Sequence, residues 1–357
     1  MVVLSINDFA AAASTPTLFI VLSGIIALVV TCALVVVRQA EHLARQLGEP
    51  YGTFILTLSI VLIEAILICA VMLGPGEHPT IARDSVMAVS MIILNLVIGL
   101  ALLIGTRNRS HLRPNRTGVG NYLAVLVVLL AAAFAVPALI GESGAYSTAQ
   151  ALAVLSATIV FYAYFLFLQM GQRRTDFQEV TAPRARQTVP NAEVSTALKV
   201  RGVVLNKKQG TLLRAALLIG AALPIVAASH VMAALLDEGS ARTGAPMALS
   251  GLLIAVIVFL PETLTAWRAA AAGEIQRVSN LCHGALVSTV GLTIPAVLAI
   301  GLLTGKPVVL AESPVNLVLL AATLMTTFAS FLGGKSTAMH GGAHLMLFGL
   351  CVLTVFA

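Results

Sequence analysis

The sequence predicts an all-α integral membrane protein with about ten transmembrane helices, arranged as two inverted five-helix repeats. Three observations predict this fold class. The chain is 59% hydrophobic and only 10% charged, whereas a soluble domain carries about 25% charged residues. Ten apolar runs approach the length of about 20 residues that a helix needs to cross a bilayer. Lysine and arginine also alternate between the connections of these runs, as they do in multi-pass membrane proteins.

The ten predicted segments follow one another with connections of very unequal charge. Eighteen of the 21 lysines and arginines lie in or beside the odd-numbered connections. Because basic residues concentrate in cytoplasmic loops, these connections are predicted to be cytoplasmic and both termini to lie outside. The ten predicted segments, of which the last is short, are 17–37, 52–73, 84–105, 121–141, 146–170, 212–236, 247–268, 279–303, 309–332 and 342–357.

The longest connection divides the segments five and five. It is a basic, proline-containing linker, which we expect to be cytoplasmic and whose role beyond setting the topology is left open. The predicted organisation is a short polar N-terminus (1–16), a first repeat (17–170), the linker (171–211) and a second repeat (212–357). Because five is an odd number, the second half enters the membrane from the opposite side, as in the inverted repeats of secondary transporters.

Two of the apolar segments each carry one carboxylate. Glu64 lies 12 residues after Gly52, and Glu262 lies 12 residues after Ser250, so each is about 18 Å along its helix. Acidic residues at this depth are costly and usually bind something. Since the two helices run in opposite directions, their carboxylates are predicted to face each other. For Glu64 the alternative is a protonated glutamate that hydrogen-bonds a neighbouring helix and only packs. For the Pro261–Glu262 pair the alternative is an ordinary proline kink of a membrane helix.

Further polar groups accompany these carboxylates. Pro261 precedes Glu262 and is expected to kink the helix and to free a backbone carbonyl about one turn earlier. Carbonyl and carboxylate oxygens are ligands of hard cations such as calcium. Asn95, Ser288 and Thr289 lie in the next predicted helix of each half and would supply supporting oxygens. Interhelical hydrogen bonding is the alternative role for these three residues.

Other classes of function find little support. The sequence has no HExxH, GxSxG or phosphate-binding loop, so we predict neither an enzyme nor a cofactor. The net charge of +6 is attributed to cytoplasmic loops rather than to nucleic-acid binding. The cysteines lie in apolar runs and are interpreted as core residues. His283 is expected to pack inside the bundle, whereas His340 and His344 are expected near the last cytoplasmic turn.

The run LGEPYGTFILTLSIVLIEAILICAVML resembles the corresponding stretch of bacterial ChaA-type calcium/proton antiporters, in the CAX branch of the cation/calcium exchanger superfamily. The resemblance continues through PETLTAW, RVSNLCHGALVSTVGLTIPAVL and GGAHLMLFG. Members have two homologous five-helix repeats in opposite orientation, and a glutamate in the second helix of each alternates between protons and cations. The resemblance implies these roles for Glu64 and Glu262, and it places the family's polar signature near Asn95 and on Ser288 and Thr289.

The sequence therefore predicts a secondary active antiporter of the bacterial plasma (inner) membrane that exports Ca²⁺, with Na⁺ or K⁺ as further candidate cations, in exchange for H⁺. Its partners would be the transported ions and the lipid bilayer. A Na⁺ or K⁺/proton antiporter with little calcium activity is the first alternative. A membrane-embedded enzyme that acts on lipid through a carboxylate pair is the second. Ion preference, stoichiometry, direction of transport and oligomeric state are not specified by the sequence.

Overall fold

The computed structural model describes residues 12–47, 79–179, 238–244 and 247–355 continuously, together with isolated positions at 9, within 58–72 and within 224–236. Every regular element of these residues is helical, so the all-α prediction is confirmed for them. The three longest of these continuous ranges contain α1 (Thr15–Leu47), α2 (Ile81–Thr106), α3 (Arg116–Ile140), α4 (Thr148–Met170), α5 (Met247–Ala272), α6 (Ile275–Thr304), α7 (Pro314–Leu332) and α8 (Ala338–Val355).

Seven of the described helices are long and apolar enough to cross a membrane: the first part of α1, then α2, α3, α4, α6, α7 and α8. The helices predicted over 52–73 and 212–236 lie outside the described residues, apart from single positions. The largest difference from a predicted boundary is at the end of α1, which continues to Leu47 rather than ending at 37, because the polar stretch RQAEHLARQL extends the helix beyond its apolar run. Helix α3 begins at Arg116 rather than at 121, and α7 begins at Pro314 rather than at 309. The hydroxyl of Ser313 accepts a hydrogen bond from the Asn316 amide (3.2 Å), which caps the helix at that point.

Two of the described helices contain a wider π-helical turn in their interior. In α2 the turn covers Ile92–Val97, between the α-helical parts Ile81–Met91 and Ile98–Thr106. In α3 it covers Ala131–Ala135. Single π-helical turns inside α-helices occur frequently at functional sites. The π-helical turn in α2 contains Asn95, so this helix is a candidate part of a functional site.

The loops form two separate groups, one at each end of the bundle. Leu112 and Ser336 exchange backbone hydrogen bonds of 2.9 Å, and both belong to odd-numbered connections. The amide of Glu142 donates to the carbonyl of Ala145 (2.9 Å), and Ala145 pairs with Val309. These three residues belong to even-numbered connections. Odd connections thus meet odd ones and even connections meet even ones, as the alternation of basic residues predicts.

Helices α2 and α6 form the centre of the described bundle. Helix α2 packs against α5 and α8, and α6 packs against α3, α4 and α5. The outer surface remains strongly apolar: Leu139, Leu303 and Met339 are 82%, 86% and 82% exposed. Large apolar side chains on this scale are unfavourable in water and favourable in lipid. The polar residues of α2 and α6 consequently face the interior of the bundle.

Candidate cation site

Glu262 lies inside the bundle, on the face of α5 that packs against α2 and α6. Its side chain is 6% exposed, and α5 continues as a helix through Pro261. The carboxylate borders a small cavity of about 10 Å³, lined by Ile93, Val97, Phe259, Glu262, Thr263, Leu281 and Cys282. A volume of this size holds about one water molecule. The cavity is mostly apolar, with Glu262 as its one acidic residue.

The helix that carries Glu262 is joined directly to α2. The indole Nε1–H of Trp267 donates to the carbonyl oxygen of Val97 at 3.2 Å. Val97 also lines the cavity beside Glu262. The hydroxyl of Thr263 donates to the Phe259 carbonyl within α5 (2.9 Å). A rotation or shift of α2 would therefore change the shape of the cavity.

Asn95 is fully buried in the π-helical turn of α2 and bonds to two other helices. Its amide nitrogen donates to Thr323 Oγ1 on α7 (2.9 Å). Its amide oxygen lies 3.3 Å from His344 Nδ1 on α8. Ile93 and Val97, two positions before and after it, face the Glu262 cavity. Asn95 thus points towards α7 and α8, on the side of α2 away from Glu262.

Ser288 and Thr289 are buried on α6, with 3% and 0% of their surfaces exposed. The hydroxyl of Tyr162 on α4 donates to Ser288 Oγ at 3.0 Å. Leu281 and Cys282, earlier on the same helix, border the Glu262 cavity. Ser288 lies six or seven residues beyond them, which corresponds to about 10 Å along the helix. Its hydroxyl contacts α4 rather than the cavity.

The structure brings only part of the predicted site together. Glu262 meets α2 and α6, the two helices that carry Asn95, Ser288 and Thr289, but none of these three side chains lines its cavity. Glu64 lies outside the described residues. Among the described residues, no group of three or more histidine, cysteine, aspartate or glutamate side chains is arranged to hold a metal ion.

Sequence reasoning missed three residues that complete this polar network. His344 lies inside α8, fully buried, rather than in the last cytoplasmic turn, and its Nε2 is 3.0 Å from Ser330 Oγ. Thr323 and Tyr162 carry no sequence signal beyond a polar atom in an apolar segment. The small residues that precede His344 in GGAH were the available sign of close helix packing. His283 is buried beside Ser279 (2.8 Å), in keeping with the predicted packing role.

Two carboxylates outside the membrane-spanning helices accept hydrogen bonds at helix starts. Glu312 Oε2 accepts from the Ser313 amide (3.0 Å) and from Asn316 Nδ2 (2.8 Å). Glu179 Oε2 accepts from the Gln276 amide (3.0 Å) at the start of α6. Burial raises the pKa of both carboxyl groups above the usual range, although these hydrogen bonds act in the opposite direction.

Comparisons with known proteins agree with this architecture. The profile of the family described as sodium/calcium exchanger protein matches residues 17–171 and 213–357. The sodium-potassium/proton antiporter ChaA of Escherichia coli (strain K12) is 31% identical over 333 residues, which cover 92% of this chain and 87% of that protein. The putative ionic transporter y4hA of Sinorhizobium fredii (strain NBRC 101917 / NGR234) is 30% identical over 323 residues, 89% of this chain and 83% of that protein.

A solved structure shows the same fold. The crystal structure of the H⁺/Ca²⁺ exchanger CAX superposes with a TM-score of 0.67 at 16% identity, and the match covers 97% of this chain and 83% of that chain. The resemblance found in the sequence is thereby confirmed. The chain belongs to the sodium/calcium exchanger protein family.

Proposed function

We propose that the protein is a secondary active antiporter that exchanges a cation for protons across the bacterial plasma membrane. The observation that carries this proposal is Glu262, a carboxylate that is 6% exposed and lies inside the helical bundle of an exchanger family. A proton and a cation both bind an ionised carboxylate, so each displaces the other. Exchange follows when the carboxylate meets the two sides of the membrane in turn.

Calcium is the first candidate cation, exported in exchange for protons. Sodium or potassium is the second, and one observation favours it: the relative at 31% identity is a sodium-potassium/proton antiporter. The Glu262 cavity of about 10 Å³ is too small for a hydrated ion of either kind. A movement of the surrounding helices must therefore open the site for entry and release.

The full architecture that we propose consists of two inverted repeats of five helices, 17–170 and 212–357, with the basic linker 171–211 in the cytoplasm and both termini outside. The separate pairing of odd and even connections supports this arrangement. The interruption of the family match between residues 171 and 213 also supports it. In this arrangement Glu64 occupies the first repeat at the position that Glu262 occupies in the second.

The cation and proton would bind Glu64 and Glu262. Asn95, Ser288 and Thr289 are proposed as supporting polar groups on the two central helices. Pro261 is proposed to mark a weak point of α5, because a proline removes one backbone hydrogen bond from a helix. In the described conformation Asn95 and Ser288 bond to neighbouring helices. Direct contact of either with a cation requires these bonds to open.

Everted membrane vesicles provide the test of function. Vesicles that contain the protein are acidified by respiration, a pH-sensitive dye is trapped inside, and CaCl₂, NaCl or KCl is then added outside. We expect at least one salt to release protons faster than in vesicles that lack the protein. The salt that acts at the lowest concentration identifies the preferred cation. Equal proton release with and without the protein for all three salts would contradict the proposal.

A further inference from the structure

The polar residues of the two central helices are held by a matching pair of contacts. Asn95 of α2 bonds to His344 of α8, and Ser288 of α6 bonds to Tyr162 of α4. In the proposed arrangement, α2 and α6 are the third helices of their repeats, and α4 and α8 are the fifth helices. Each contact thus joins the third helix of one repeat to the fifth helix of the other.

The hydrogen-bond roles at Asn95 define what His344 contributes. With the Asn95 amide oxygen on the α8 side, it accepts from Nδ1–H of His344 in this contact (3.3 Å). The amide nitrogen of Asn95 donates a hydrogen bond to Thr323 Oγ1 (2.9 Å). The other ring nitrogen of His344 faces Ser330 Oγ (3.0 Å). His344 therefore contacts Asn95 through Nδ1 and Ser330 through Nε2.

Close helix packing makes both contacts possible. On α2, Gly99 follows Asn95 by about one turn, and a Cβ built there would lie 3.1 Å from the carbonyl oxygen of Gly341 on α8. On α6, Gly291 follows Ser288 by about one turn, and a Cβ there would lie 2.8 Å from the ring of Tyr162. The backbones of α2 and α8 therefore approach closely, a common device in membrane bundles, whereas on α6 the ring of Tyr162 packs directly against Gly291.

These contacts also bear on the cavity of Glu262. Ile93 and Val97 of α2 face Glu262, while Asn95 between them is fastened to the opposite side. If Asn95 loses its partner, α2 is free to rotate, and Val97 moves relative to Trp267, which donates to its carbonyl oxygen. The contact between Asn95 and His344, on the far side of α2, thus fixes the positions of Ile93 and Val97 beside Glu262.

We propose that His344 and Tyr162 are positioning residues, which hold Asn95 and Ser288 and thereby fix α2 and α6 around the Glu262 cavity. This inference rests on the proposed function, because its consequence is a change in cation binding. Neither residue touches the cation in this account. His344 acts through one hydrogen-bond donor, and Tyr162 acts through its hydroxyl.

Three substitutions of His344 separate a positioning role from a general structural one. Asparagine places an amide donor near the position of Nδ1 and retains the bond to Asn95. Glutamine places its amide near Nε2 and retains the contact with Ser330 instead. Alanine retains neither. Tyr162→Phe removes only the hydroxyl and leaves the ring that packs against Gly291.

The half-saturating concentrations of CaCl₂ and KCl are measured in two ways: by proton release from everted vesicles, and by fluorescence of the purified protein. Trp267 is the single tryptophan of the chain and reports directly on the contact between α5 and α2. We expect His344→Ala and His344→Gln to raise the half-saturating concentration about tenfold, and Tyr162→Phe about fivefold. His344→Asn should stay within about threefold of the unmodified protein.

Equal losses in His344→Asn and His344→Gln would overturn the inference, as would unchanged binding in His344→Ala. The fluorescence titration does not require transport, so it judges the positioning role even if the vesicles show no exchange. Proton release that fails for every salt contradicts the proposed function alone. A cation signal that is absent in both assays contradicts the proposed function and the inference together.

Discussion

The two central helices, α2 and α6, are built alike but carry different chemistry. Both lie at the centre of the bundle, border the cavity of Glu262 and bond through one polar residue to a helix across the molecule. In α2 this residue is Asn95, an amide with partners on two helices, located in a π-helical turn. In α6 it is Ser288, in a helix that is α-helical throughout and has Pro295 in its interior.

This difference shows which features the two halves must share and which they need not. A glycine in close contact with the partner helix and one polar bridge occur in both halves, because the packing of the central helices depends on them. The identity of the bridging residue differs, since a hydroxyl and an amide both satisfy one partner in an apolar interior. We therefore expect substitutions in α2 to have larger effects than the equivalent substitutions in α6.

Among the substitutions that compare α2 with α6, Asn95→Ala is expected to have the largest effect. The substitution leaves His344 Nδ1 and Thr323 Oγ1 buried without their amide partner, and each unpaired group costs about 1–3 kcal/mol. The rate of cation-dependent proton release should fall about 100-fold. Ser90→Ala is the matched control, because Ser90 is equally buried on α2 but donates only to the Val86 carbonyl of its own helix (2.6 Å). Equal rates of proton release in Asn95→Ala and Ser90→Ala would contradict a special role for the contacts that Asn95 makes with α7 and α8.

A large effect on stability is expected for Gly341→Ala. The new Cβ would lie 2.8 Å from the carbonyl oxygen of Gly99, and a backbone atom in a packed helix has little room to move. The free energy of unfolding should fall by about 1–3 kcal/mol, measured by thermal unfolding in detergent. The neighbouring substitution Gly342→Ala places its Cβ in open space and should leave the midpoint unchanged. Similar midpoints in the two variants would contradict the close packing of α2 and α8.

A smaller effect is expected for Ser288→Ala. This change removes one hydroxyl and leaves the Tyr162 hydroxyl to find another partner, so the rate of proton release should fall about fivefold. The measurement is made in the same vesicles as for Asn95→Ala, at matched protein content. A loss as large as that of Asn95→Ala would show that the two bridges are equivalent in function as well as in position.

The smallest effect concerns the loop carboxylate Glu312. Burial raises the pKa of this group above its ordinary value of 4.5, so the folded protein retains the proton to a higher pH than the unfolded chain does. The contribution of Glu312 to stability is therefore present at low pH and is lost as the pH rises through the folded pKa. Relative to Glu312→Gln, the unmodified protein should have its highest melting temperature below pH 4.5.

The control for this measurement is Glu274→Gln, since the Glu274 side chain is 44% exposed. A difference in melting temperature between the unmodified protein and Glu312→Gln that does not change between about pH 4 and pH 7 would show that burial of Glu312 has no consequence for stability.

Much of the fold follows from the sequence, because a bilayer imposes simple constraints. A helix must satisfy its own backbone and present apolar side chains to lipid, so length and hydropathy locate most ends of the described helices to within several residues. The end of α1 is the clearest exception, because the helix continues through polar residues to Leu47, where hydropathy no longer reports on it. The start of α7 at Pro314 depends on local capping by Ser313, which average hydropathy does not register.

The candidate site was less accessible to sequence reasoning. Glu262 stands out because an acid is rare in an apolar helix, and the structure does bury it. The direction of Asn95 depends on the π-helical turn and on partners 228 and 249 residues away. Such contacts are set by the packing of distant helices and leave no local pattern. His344 was misplaced for the same reason.

The central claim is that a cation and a proton share the buried carboxylate of Glu262. Its most direct test is proton release from everted vesicles that contain the unmodified protein, Glu262→Gln or the exposed control Glu274→Gln, at equal membrane insertion. Glu64→Gln is measured beside them. The account predicts that both Glu262→Gln and Glu64→Gln abolish cation-dependent proton release, while Glu274→Gln retains it. Undiminished release in Glu262→Gln would contradict the claim.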